Sequence, residues 1–217
     1  MINYKISFCT LSHEYQITLS FNQDNDLPIE FSLPNWVPGS YLIRDFSRHI
    51  TQLSASCDGK AVALTQLTKN KWSANGSKGE WQICYTVYAF DLSVRGAFLS
   101  TERGFFDGAC LFLKIHGFEN LPHSVTLQDF PGQWQIATTL PQTATHQFQT
   151  ASYPNLIDHP VEMGKIEFLD FTSAGIPHRI ALSGFYREFD RQRFVNDIQK
   201  ICETELAMFP EPAPFQE

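Results

Sequence analysis

The sequence has few charged residues and still fewer basic ones. Asp, Glu, Lys and Arg make up 18% of its 217 residues, and sixteen Lys and Arg stand against twenty-three Asp and Glu, for a net charge of −7. With no excess of cations to lay against phosphates, nucleic acid is not an expected partner. No window approaches eighteen consecutive apolar residues, so neither a spanning helix nor a membrane partner is expected. The five cysteines, at 9, 57, 84, 110 and 202, form no Cys-x-x-Cys pair. That argues against a disulfide frame or zinc ribbon and for reduced thiols. Met1 to Cys9 holds one lysine, no apolar run of seven and no small-residue cleavage site, so no export signal is expected and a cytoplasmic location is. The glycine patterns G-x-x-x-x-G-K-[ST], G-x-G-x-x-G and G-x-S-x-G are also missing, which argues against P-loop, dinucleotide and α/β-hydrolase chemistry.

What the sequence has in quantity is rings: nineteen Phe, seven Tyr and four Trp. Aromatic and β-branched runs recur between turn residues at 3–10, 14–22, 28–33, 47–56, 80–90, 109–115, 123–130, 133–138, 165–171 and 178–184. This spacing predicts a mainly β protein of stacked antiparallel sheets, sandwich-like. Tyr15, Ile17, Leu19 and Phe21 alternate with Gln16, Thr18 and Ser20, giving one apolar and one polar face. In Trp81–Ala89 both registers are largely apolar, which predicts a central strand covered on both sides.

The pattern changes near 190. Phe194, Ile198, Ile201, Leu206 and Phe209 repeat at three- to five-residue intervals, which predicts one long amphipathic helix capped by Asp190 and stopped by Pro210, Pro212 and Pro214. A single helix after a long β segment leaves its apolar stripe without a second layer. The stretch 139–155 is poor in large aliphatics, so the division expected is 1–152, an amino-terminal β-domain, and 153–217, a junction and the start of a further domain.

Three segments bear on chemistry. His13-Glu14-Tyr15-Gln16-Ile17 begins like H-E-x-x-H but lacks the second histidine and sits in a strand pattern, so no metal site is expected in this chain. Leu33–Phe46 sets Pro34, Pro38 and Gly39 with Trp36, Tyr41 and Phe46 around Arg44-Asp45. It reads as a packing motif, whose prolines and glycine fix a sharp path, whose rings plug a core edge and whose Arg44 or Asp45 satisfies loop carbonyls and amides, or else as a direct substrate contact. Asp158-His159-Pro160-Val161-Glu162 puts three titratable groups in five residues beside a forced turn. It reads either as a solvated turn or as a carboxylate aimed into a cleft.

Trp36-Val-Pro-Gly-Ser-Tyr-Leu-Ile-Arg-Asp-Phe46, Tyr88–Ala97 with Gly104-Phe-Phe-Asp-Gly108, and Asp158–Gly164 together resemble the glycyl aminopeptidase family of zinc metallopeptidases, metallopeptidase family 61. The resemblance runs in order along nearly the whole chain. It implies an amino-terminal β-domain, a thermolysin-like catalytic domain with H-E-x-x-H, and a PDZ-like domain, of which this sequence holds the first and the beginning of the second. It implies further that Zn2+ belongs to the parent enzyme, that no catalytic or metal residue lies in this chain, and that the chain alone is inactive. The parent's substrate would be a peptide with a free amino terminus, from which it releases small residues such as Gly or Ala. Glu162, and after it Asp158, is the carboxylate expected to hold that amino terminus. The competing expectation is a free-standing β-sandwich that binds peptides or carbohydrates on rings such as Trp72, Trp81 or Trp134.

Overall fold

The computed structural model describes residues 1–37, 40–94 and 96–209. Pro38 and Gly39 of the first motif, and the helix-stopping prolines at 210, 212 and 214, lie outside the described residues. Eight strands form the largest sheet, in the spatial order Gln142–Ala144, Gln147–Thr150, His123–Leu127, Ile2–Cys9, Glu14–Gln23, Gly79–Tyr88, Ile50–Cys57 and Lys60–Val62. Its neighbours run antiparallel except Ile2–Cys9 and His123–Leu127, which pair in parallel.

Three smaller sheets accompany it. One joins Lys114–Ile115, Ile29–Ser32, Lys71–Ala74 and Leu64–Thr68; another joins Gln135–Ala137, Val161–Gly164, Arg103–Phe106 and Ala97–Leu99. The last is the hairpin of Ile166–Ser173 and Ile176–Ser183, against which the helix Arg191–Leu206 packs. The architecture is thus mainly β, with stacked antiparallel sheets and one long carboxy-terminal helix, as the sequence predicts.

Period-two patterning builds the core. Tyr15, Ile17, Leu19 and Phe21 are all buried, and Trp81, Ile83, Tyr85 and Val87 join them from the neighbouring strand. Phe31 and Trp72 reach the same core from the second sheet, and Phe106, Val161 and Met163 from the third. Each such side chain taken from water contributes about 1.5–3 kcal/mol.

Three expectations need correction. Gly79–Tyr88 is central but largely open on one face: Gln82, Cys84 and Tyr88 are exposed there while Thr86 is buried, and Cys84 stands beside Thr18. A thiol and a phenol counted as apolar can face water where they lie next to polar neighbours. Residues 109–115 are not a strand but the short helix Gly108–Leu111 followed by the two-residue strand Lys114–Ile115. Asp107 caps that helix, accepting from the Ala109 amide at 2.9 Å. The buried carbonyls beyond it are taken by phenols: Tyr85 donates to Leu111 O (2.8 Å), Tyr153 to Phe112 O (2.7 Å) and Tyr4 to Leu113 O (2.7 Å). Finally, 47–56 begins with the 3-10 turn Phe46–His49 before the strand Ile50–Cys57.

Asp190 does cap the long helix, its carboxylate accepting from the Arg193 amide at 3.0 Å. None of the helix's residues is buried, although Phe194, Val195 and Ile198 are partly covered. Among the described residues no helix is long and apolar enough to cross a membrane.

Candidate functional site

In the first motif the loop turns back on itself. Trp36 Nε1 donates to Ser40 O at 2.8 Å, the Arg44 amide to Asn35 O at 2.8 Å, and Arg44 Nε to Ser40 Oγ at 3.3 Å. Asp45 adopts a left-handed conformation (φ 48°) and lies 3.7 Å from Lys69 Nζ. Arg44 therefore supports the loop through a side chain, and Asp45 faces a surface lysine. The rings depart from expectation: Phe46 plugs the core, but Trp36 is half exposed and Tyr41 fully exposed. The Trp36 indole closes the loop through its N–H while nearly half of the residue stays exposed, and Tyr41 takes no part in the closure.

The motif residues gather around two depressions. A cleft of about 580 Å³ is lined by Val37, Val94, Asp107, Asp158, His159 and Pro160, among others. Asp158 ends the short helix Tyr153–Ile157 and is exposed at this cleft. His159, also at this cleft, bonds Thr139 Oγ1 through Nδ1 at 2.6 Å. Pro160 also lines a larger groove of about 1040 Å³, with Phe105, Thr139, Glu162, Phe168 and Ile198. Glu162 and Asp158 thus stand in adjacent depressions on either side of Pro160 and are not brought together.

Glu162 owes its orientation to strand alternation. In Val161–Gly164, Val161 and Met163 point into the core, and Glu162 points to the opposite face. On the paired strand Phe106 is inward, and Arg103 and Phe105 are outward. Arg103 Nη2 lies 3.0 Å from Glu162 Oε1 and 3.1 Å from Oε2, but its N–H direction makes the hydrogen bond to Oε2. Glu162 Oε1 and Arg103 Nε are shut from bulk water and make no hydrogen bond among the described residues. Oε1 keeps the Arg103 charge 3.0 Å away, whereas a donor left without an acceptor, as Arg103 Nε is, costs about 1–3 kcal/mol.

The pair is held from several sides. Arg103 sits over the Phe98 ring at 5.8 Å. Opposite it, Gly164 (φ 144°) has no side chain; a Cβ there would come within 3.1 Å of Arg103 Cβ and 2.9 Å of Glu102 O. Below the strand, burial pushes the Tyr15 phenol well above its ordinary pKa, and the Glu162 charge adds to the push. Among the described residues no three His, Cys, Asp or Glu side chains gather where a metal could be held. Glu14, of the incomplete H-E-x-x-H, is simply the first residue of the strand Glu14–Gln23.

The sequence pointed to Glu162 and Asp158 but not to Arg103, whose signal lies in cross-strand register with Gly164 and not in any local motif.

A family model described as the peptidase M61 N-terminal domain matches residues 3–165. The chain belongs to the peptidase M61 family. This M61 chain is also similar, at 40% identity and a TM-score of 0.91, to the crystal structure of an aminopeptidase N family protein from Idiomarina loihiensis. That likeness covers 100% of the M61 chain and 38% of the other, so the chain spans well under half of that protein's length. No curated protein matches. The M61 match ends one residue beyond Val161–Gly164, the strand that carries Glu162.

Proposed function

We propose that this chain is the amino-terminal part of a zinc-dependent aminopeptidase that releases small amino-terminal residues, Gly or Ala, from peptides. In this reading Glu162 holds the substrate's ammonium and fixes the cut one residue from the end. The family membership supports a peptidase parent. The observation that carries the site is the Glu162 carboxylate, which lines a groove of about 1040 Å³. The three N–H donors of an ammonium are a natural complement to a carboxylate at such a groove.

Zinc in the parent would polarise the scissile carbonyl and activate a water. In this reading the role of this chain is to bind and orient the substrate. Asp158, exposed in the neighbouring cleft, is the second candidate for the ammonium. On this reading the chain is part of a cytoplasmic enzyme, and its partners are the peptide and the catalytic and PDZ-like domains of the same polypeptide.

A charge-assisted contact contributes about 1.5–3 kcal/mol. Because Arg103 already offsets part of the Glu162 charge, the lower end applies. Glu162→Gln in the complete enzyme should therefore cut kcat/KM on glycyl and alanyl substrates about tenfold. An unchanged value removes Glu162 from the role. Stoichiometric zinc together with release of amino-terminal glycine by the 217-residue chain alone would overturn the division of labour.

A further inference from the structure

Glu162 does not stand alone on its face of the sheet. Glu162 is paired with Phe105, Phe105 with Phe98, and Phe98 through an isolated bridge with Phe90. Directly opposed residues in antiparallel strands share a face, so the four side chains form one row running across the strands. The ring contacts agree: Phe90 stacks on Phe98 at 5.3 Å, and Arg103 covers Phe98 between them and Glu162. Phe98 is accordingly 9% exposed, whereas Phe90 at the far end is 55% exposed.

At that end lies a second hollow of about 370 Å³, bounded by Tyr88, Phe90, Leu92 and Phe98, with Arg48, His49 and Asp91 at its rim. Arg48 Nε donates to His49 Nε2 at 3.0 Å, and Asp91 accepts from the Ser93 amide. Burial and the Arg48 charge push His49 below its ordinary pKa, so its ring is neutral at neutral pH. The hollow therefore offers flat apolar walls and a balanced rim, which suits a large uncharged side chain better than an ion.

Resting on the reading of Glu162 given above, we infer that this row is an extended-peptide subsite whose far hollow accepts an aromatic or large aliphatic side chain on the fifth substrate residue. Three strand-to-strand steps of about 4.8 Å place Phe90 about 14 Å from Glu162. A peptide extended at about 3.4 Å per residue covers that distance in about four residues. With the first residue's ammonium at Glu162, the chain crosses Phe105 and the Arg103 guanidinium and brings residue five over Phe90. Continuity of the row with the ammonium site, and the fit between its span and a peptide's rise, single out an extended peptide as the occupant.

The test uses the isotopically labelled 217-residue chain and amide-terminated peptides, followed by NMR chemical shifts. Gly-Ala-Gly-Ala-Phe amide should move the backbone amides of Glu162 and of Tyr88–Leu92 and bind at least fivefold more tightly than Gly-Ala-Gly-Ala-Gly amide. Gly-Ala-Phe amide, with its ring at position three, should show no such advantage. Phe90→Ala should abolish the advantage, with Leu92→Ala reducing it as an independent check. Glu162→Gln should weaken both pentapeptides by the same factor. The subsite is overturned if neither pentapeptide binds, if both bind alike, or if Phe90→Ala leaves their ratio unchanged. If Glu162→Gln changes nothing while Phe90→Ala still abolishes the preference, the ammonium assignment fails and the aromatic subsite stands.

Discussion

Tyr4, Tyr85 and Tyr153 reach the carbonyls of Leu113, Leu111 and Phe112 from positions far apart in sequence. Removing one hydroxyl leaves a carbonyl buried without its donor, a loss of about 1–3 kcal/mol. Tyr153→Phe should thus lower unfolding stability by that amount in a urea titration, and Tyr88→Phe, half exposed on the surface, should leave it unchanged. The same contacts explain what could not be read from local pattern. Ala109–Leu113 is an apolar run that fits a buried strand equally well. The phenols that let it dispense with a ladder partner arrive through tertiary packing alone. Tyr15–Phe21 was legible because its alternation is both cause and signal of its burial. The motif draws attention to Glu162, but the pairing of Glu162 with Arg103 depends on a register between strands about sixty positions apart, which no spacing announces.

The long helix was foreseen from its apolar repeat and its Asp190 cap, and it shows how an element can be well formed yet weakly held. Its anchors are at the first turn. Arg191 Nε lies 2.6 Å from Glu167 Oε1 on the hairpin, and Tyr186 donates to Glu167 Oε2 at 2.7 Å. Hydrogen bonds from Arg191, and then from Tyr186, hold the Glu167 carboxyl below its ordinary value of 4.5. A depressed carboxyl contributes stability above its unfolded pKa and loses it as pH falls through the folded one. As the medium is acidified below that ordinary value, amides of Arg191–Leu206 should therefore lose hydrogen-exchange protection before those of Glu14–Gln23. In Arg191→Ala the helix should be poorly protected above and below that value alike, so that its pH dependence disappears. Equal protection of helix and sheet throughout the acid range would show that apolar contact, not this ion pair, keeps the helix in place.

Taken whole, the molecule seals four phenols, Tyr4, Tyr15, Tyr85 and Tyr153, inside its β layers. Burial pushes each above the ordinary value of 10.0. For a raised folded-state pKa, stability is intact below the unfolded value and is lost as pH rises beyond it, because the unfolded chain releases those protons first. Spectrophotometric titration in alkali should accordingly show these four ionising together with loss of the fold. Ionisation of these four with the fold intact would contradict the packing. The large sheet also bears on the order of events during synthesis. Ile2–Cys9 lies between Glu14–Gln23, which follows at once, and His123–Leu127, which is its parallel partner. On the ribosome the first hairpin must wait with one side unclosed until residue 127 has emerged, a long-range closure that slows folding and leaves a bare strand edge open to wrong partners. Nascent chains stalled before that point should need a chaperone; those stalled well beyond it should not.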